Sequence, residues 1–219
     1  MKHNFVVIFA LLVSCKIAEA QKKVSELTVV YDCMITSGNA SNHVSGFDGS
    51  TNTIYIKGNL IRSEMTRSSF SSSTIYDSKT GQAVILKEVS GQKLLIRLSP
   101  ENWQEMNKHD NGIVFTATGE TKTIAGYKCI KAIGKTSYGA ELVVYYTLEI
   151  VPDNKDYSAK FKNLDGLPLQ YELTYDNRKI IYTVAKISLN PVPASKFDLP
   201  KNGYREMTYE ESKKQKTGN

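Results

Sequence analysis

The sequence predicts a mainly β protein, a curved antiparallel sheet wrapped as a half-barrel around one or two helices. Three observations carry that expectation. Apolar residues alternate with polar ones at period two through most of the chain. Short clusters of glycine with asparagine, serine or threonine separate these runs at hairpin spacing. Helical periodicity surfaces clearly at one place, after Ser99-Pro100.

The first twenty residues read as an export signal. Lys2 precedes an apolar run from Phe5 to Val13, and Ala18-Glu19-Ala20 forms a small-x-small site ahead of Gln21. Leu12-Val13-Ser14-Cys15 also resembles a lipobox, so two readings stand side by side. Cleavage after Ala20 releases the protein into the periplasm or the extracellular space. Lipidation at Cys15 tethers it to a membrane, as an outer-membrane lipoprotein, because each buried acyl methylene contributes roughly 0.8 kcal/mol. The expected organisation is a signal at 1–20, one β domain at 21–205 and a polar tail at 206–219.

The first strand runs from Leu27 to Ile35, with Leu27, Val29, Tyr31, Cys33 and Ile35 on one face and Thr28 and Asp32 on the other. A serine- and glycine-rich loop follows from Ser37 to Ser50, containing a sequon at Asn39. Hairpin strands are then expected at 53–56 and 60–66 around Lys57-Gly58-Asn59, at 73–77 and 82–89 around Lys79-Thr80-Gly81, and at 92–98. Glycine in these turns supplies the positive φ that tight reversals need, so consecutive strands should pair antiparallel. Ser99 then caps a helix with Pro100 in its first turn, carrying Trp103 and ending between Asn107 and Gly112.

Strands resume at 112–118, 127–133, 142–151, 169–175 and 180–189. In the third of these, Leu142, Val144, Tyr146, Leu148 and Ile150 point one way and Glu141, Tyr145, Thr147 and Glu149 the other. One face packs and the other meets water. Pro191, Pro193 and Pro200 close the sheet, leaving an extended remainder with a short helix near Tyr209. A sheet of some ten strands with one oily face must curl, since a flat apolar surface with open edges aggregates. If the helix leaves part of the concavity unfilled, a greasy cleft results.

Charge and chemistry exclude several classes. The formal balance of +6 falls by one when Lys2, Lys16 and Glu19 leave with the signal, and the basic residues are lysines spread along the chain. No nucleic-acid reading motif accompanies them, so no nucleic-acid partner is expected. His43 and His109 show no spacing for a metal or for a nucleophile and base, no phosphate-cradling loop is present, and no cofactor is expected. Asp153, Asp156, Asp165 and Asp176 lie near turns, where aspartate caps backbone amides; an acid pair meeting only in three dimensions stays open. The reading is non-enzymatic. Cys33 and Cys129, an even pair in an oxidising compartment, suggest a disulfide, with two buried free thiols as the other reading. Tyrosines crowd the predicted strands, suiting either the rim of a lipid cleft or half-buried strand positions.

Several phrases carry a resemblance: Thr74-Ile75-Tyr76-Asp77, Glu120 through Gly126-Tyr127-Lys128-Cys129, Gly166-Leu167-Pro168-Leu169, Val192-Pro193-Ala194 and Phe197-Asp198-Leu199-Pro200. They resemble an uncharacterised exported bacterial family, a domain of unknown function. That family is similar in strand pattern to the LolA/LolB-like outer-membrane lipoprotein carriers and receptors. The resemblance spans most of Leu27 to Tyr204 and implies an apolar concavity that in the carriers receives acyl chains. It transfers no functional residue by motif; Arg62 and Arg97, on strands, are the candidates for a ligand-positioning arginine.

The expected function is therefore an envelope protein that shelters a lipid or lipoprotein acyl chain. The expected lining is Leu142, Val144, Tyr146, Leu148 and Ile150, with Trp103 as plug or gate. The alternative is a scaffold or sensor domain with a filled concavity that binds another envelope protein, by strand addition at an open edge.

Overall fold

The computed structural model describes residues 21–37, 49–67, 70–89, 91–137, 139–175 and 178–217. The leader with Cys15, the Asn39 sequon and His43 lie outside the described residues. The chain opens with β1 (Lys22–Val24) and β2 (Glu26–Ser37), followed by the hairpin ladder β3 (Ser50–Lys57), β4 (Leu60–Arg67), β5 (Phe70–Asp77), β6 (Gln82–Val89) and β7 (Gln92–Leu98). Helix α1 (Pro100–Asn107) follows. Then come β8 (Val114–Ile124), β9 (Tyr127–Lys135), β10 (Glu141–Thr147), β11 (Ile150–Pro152), β12 (Leu167–Tyr175), β13 (Arg178–Ser188), β14 (Arg205–Thr208) and α2 (Tyr209–Thr217). Twelve strands form one sheet in the order β14-β7-β6-β5-β4-β3-β2-β13-β12-β10-β9-β8, antiparallel except where β14 joins β7. The mainly β expectation and the antiparallel pairing hold.

The local reasons are those the sequence offered. At the β8–β9 turn, Ala125 and Gly126 both adopt positive φ, 50° and 85°, the backbone of a two-residue turn whose twist matches its strands. Ser99 caps α1 reciprocally with Asn102: its hydroxyl accepts from the Asn102 amide, and the Asn102 side chain accepts from the Ser99 amide.

Leu27, Val29, Tyr31 and Cys33 of β2 define the inner face, which continues across the register to Ile54 and Ile56 on one side and Tyr182 and Tyr171 on the other. The sequence predicted a single packed face, and β5–β7 depart from it. Ala83-Val84-Ile85-Leu86 and Leu94-Leu95-Ile96 are continuous apolar runs, so both faces there need cover. Inside, Trp103, Met207 and Tyr209 pack on Ala83, Ile85, Ile96 and Leu98. Outside, Phe197, Leu199 and Tyr204 pack on Ile75, Leu86 and Leu95. The segment after β13 is therefore a strap. The Glu26 carboxylate accepts from the Val192 amide at 2.6 Å, and the Arg62 guanidinium donates to the Lys196 carbonyl at 2.7 Å. Beyond the strap the chain turns round the sheet edge as β14 and returns on the inner side as α2, where Lys213 meets Glu105 of α1 at 3.1 Å.

Two expectations are corrected. The strand expected over 142–151 breaks after Thr147: this side chain is fully buried and accepts from the Glu149 amide at 3.2 Å, and the bend lets Ile150–Pro152 pair in parallel with β1. The disulfide is absent. Cys33 on β2 and Cys129 on β9 are buried free thiols with β13, β12 and β10 between their strands. At about 4.8 Å per strand step they lie beyond the roughly 7 Å between Cα atoms that a bridge tolerates. Burial pushes both thiols up to about 11.

Candidate functional site

Between β11 and β12 the chain crosses the inner face instead of turning directly. Asn154 starts this crossing: its side-chain oxygen Oδ1 accepts from the Asp156 backbone amide at 2.9 Å, an N-cap for the short 3-10 turn Lys155–Tyr157. Its amide group donates to the Gly58 carbonyl at 2.8 Å and to the Ser78 hydroxyl at 3.0 Å, tying the crossing to two hairpin turns of the ladder. A second 3-10 turn, Ala159–Phe161, completes it. Tyr157 and Phe161 are buried by it, with Phe161 edge-on to Tyr171 at 4.8 Å.

This crossing stands over the sheet and leaves a cavity on either side. The first, about 220 Å³, is walled by Tyr31, Ile54, Phe161, Tyr171, Leu173 and Tyr182, with Asn52 and Ser63 on its floor. Its aromatics interlock: Tyr171 stacks on Tyr182 at 4.7 Å and meets Tyr31 edge-on at 5.6 Å. Polar atoms on the floor are matched, with the Ser63 hydroxyl donating to the Asn52 side-chain oxygen Oδ1 at 3.1 Å and the Tyr31 hydroxyl to the Pro168 backbone carbonyl at 2.8 Å. Burial raises the Tyr31 and Tyr171 phenols well above their ordinary value and Tyr182 to about 12, so all three are neutral at physiological pH.

The second cavity, about 250 Å³, lies between the crossing and α1. Trp103 and Met106 line it from the helix, and Ile61, Thr74 and Tyr76 from the sheet. Trp103 stacks on Tyr76 at 4.5 Å and 18°. Its mouth is charged: Asp110 pairs with Lys160, and Asp156 pairs with Lys162 at 2.6 Å. Ser63, Tyr157, Ser158 and Lys160 border both cavities, so the two are neighbours with the crossing between them. Jointly they reach the range of roughly 300–1,000 Å³ in which small-molecule sites fall.

Of the residues singled out from sequence, Trp103 lies in a cavity wall. Leu142, Val144, Tyr146 and Ile150 are buried in the main core, and Leu148 is half-buried against it; none of the five lines either cavity. Arg62 and Arg97 sit on the outer face, held by Glu64 and by Glu206. Sequence reasoning missed Tyr157, Phe161 and Lys160. The available signal was Asn154 as an N-cap ahead of Tyr157 and Phe161, two aromatics four residues apart in a stretch read only as turns. Among the described residues no three His, Cys, Asp or Glu side chains gather as a metal site, and no helix is long and apolar enough to cross a membrane.

The fold is similar to that of PNGF-II, seen in two crystal forms with TM-scores of 0.51 and 0.50 at 12% identity. Each match covers 88% of this chain and 33% of that one, so the chain spans about a third of PNGF-II. MucB aligns at a TM-score of 0.36 and 9% identity, over 81% of this chain and 58% of its own. No curated protein matches by sequence. Residues 44–204 match the model of the domain of unknown function DUF4412, and the chain belongs to that family.

Proposed function

We propose that this protein is an exported binding protein, not a catalyst, that shelters an acyl chain in the groove between the inner face of the sheet, α1 and the crossing at 155–161. The observation that carries the reading is the pair of adjoining cavities, walled by aromatic and aliphatic side chains and held open by a crossing that is anchored at Asn154. Such walls suit a flexible apolar chain, and with Tyr31, Ser63 and Asn52 hydrogen-bonded, the buried polar atom of the lining without a partner among the described residues is the Tyr157 hydroxyl. The scarcity of candidate bases supports the non-enzymatic part.

Trp103 is the one tryptophan in the sequence and lines the groove, so its emission reads occupancy directly. Adding monopalmitoylglycerol should shift that emission with saturation, and native mass spectrometry should find the mass of the protein with monopalmitoylglycerol. Ser63→Phe, which fills the floor common to both cavities, should abolish both signals while the far-ultraviolet dichroism stays unchanged. A flat titration with a ligand-free mass would refute the proposal.

One observation favours a second reading, a scaffold that binds another envelope protein. Strand β8 is a sheet edge, almost wholly exposed, with Val114 at 71% exposure. Its far half is guarded by a bulge between Ala117 and Thr121 and by Glu120 and Lys122, leaving Val114–Ala117 as the open stretch. Val114→Lys separates the readings: it should block strand addition and leave the Trp103 response intact.

A further inference from the structure

The two halves of the groove differ in a way that says which end of an amphiphile each receives. The first cavity has aromatic walls and a single ammonium at its border, that of Lys160. The second carries the carboxylates of Asp110 and Asp156 in its lining, with the ammonium of Lys160 on the first and that of Lys162 on the second. Two acids and two bases thus gather at one mouth, balanced in charge. Both pairs are partly solvated, the Asp110 and Lys160 side chains being 31% and 29% exposed and those of Asp156 and Lys162 38% and 54%. Ion pairs of this kind hold weakly and open at little cost.

We propose that the groove selects a zwitterionic amphiphile, its acyl chain over the aromatic wall and its headgroup exchanging ions with these two pairs. The inference rests on the acyl-chain reading above and goes beyond it by naming the headgroup. An ammonium on the ligand takes the place of a lysine on Asp110 or Asp156, and the ligand's phosphate takes the freed Lys160 or Lys162, so each charge keeps a partner. A headgroup seated at the mouth covers these pairs from water, which raises the cost of leaving one of their charges unmatched. An anionic headgroup satisfies the lysines and strands the two carboxylates. An uncharged headgroup has no ion to exchange and gains nothing at the mouth. Selectivity therefore has two parts: an anionic headgroup is rejected for the carboxylates it strands, and an uncharged one lacks the ion contacts that the zwitterion makes.

The test titrates Trp103 emission with three palmitoyl single-chain amphiphiles below their micellar concentrations: lysophosphatidylethanolamine, lysophosphatidylglycerol and monopalmitoylglycerol. The zwitterion should bind about tenfold more tightly than either of the others. The double variant Asp110→Asn, Asp156→Asn removes the carboxylate partners of Lys160 and Lys162 and should turn the preference toward lysophosphatidylglycerol, while a saturable Trp103 response to monopalmitoylglycerol still reports an intact groove. Equal affinities of the parent for the three, a preference of the parent for the anionic lipid, or a zwitterion preference that survives the double variant would each overturn the headgroup inference and leave the acyl-chain reading standing. If none of the three binds, the acyl-chain reading fails and this inference with it.

Discussion

Gly166 sits where β12 begins beside the last residue of β10, and a Cβ built there would lie 1.9 Å from the Thr147 carbonyl oxygen and 2.8 Å from its carbon. The obstacle is backbone, which cannot swing aside as a side-chain tip can. Gly166→Ala should therefore destabilise the protein by about 3 kcal/mol, read as a lowered midpoint in urea. Glu26 illustrates a different dependence. Its carboxylate takes hydrogen bonds from Lys57 and from the Val192 amide, and these hold it below its ordinary value of 4.5. A carboxyl whose value is lowered on folding stabilises the native state above its unfolded value, and that contribution disappears as pH falls through the folded one. Glu26→Gln should thus lower Tm at pH 7, and the gap between variant and parent should close as melts are taken down from pH 4.5.

At the scale of elements, the strap and α2 do different work although they are neighbours in sequence. The strap brings Phe197, Leu199 and Tyr204 onto Ile75, Leu86 and Leu95, which are otherwise a bare apolar patch on the outer face. Burying each of those three is worth roughly 1.5–3 kcal/mol, a large share of the 5–15 kcal/mol that typically holds a domain together. Truncation after Asn190 should give a protein that aggregates and binds a hydrophobic dye. Truncation after Tyr204 keeps the strap and Trp103 but removes Met207 and Tyr209 from the inner cluster; it should lower Tm and aggregate less than the shorter form. The strap was hidden from sequence reading because prolines and short polar spacers look alike whether a segment is solvated or laid over a sheet. The phrase Phe197-Asp198-Leu199-Pro200 held the clue, two apolar residues with one between them at the end of the 3-10 turn Ala194–Phe197, matching the apolar outer positions Val84 and Leu86.

Across the whole molecule, strand order decides what strand content cannot. Cys33 and Cys129 looked like a pair because the expected compartment is oxidising and only two cysteines follow the expected signal. The sheet inserts β13 between β2 and β12, and β10 between β12 and β9, which carries the thiols apart. In denaturant without reductant both should be alkylated, as read by peptide mass, whereas the native protein should protect them through burial and thiol values of about 11. The same long-range order explains the misplaced lining. Leu142, Val144, Tyr146 and Ile150 are buried in the main core away from both cavities, and Thr147, which the alternation put on the wet face, is buried too. The groove opens instead beside the crossing, over β2–β5 and β12–β13.

Alternation, turn residues and the Ser99-Pro100 cap determined, from sequence alone, the β class, the hairpin ladder and the one clear helix. All of these arise from interactions between residues close along the chain. The crossing at 155–161, the strap and the groove were decided only by tertiary structure. A cavity depends on which distant side chains stop short of one another, and no local pattern of residues records that distance.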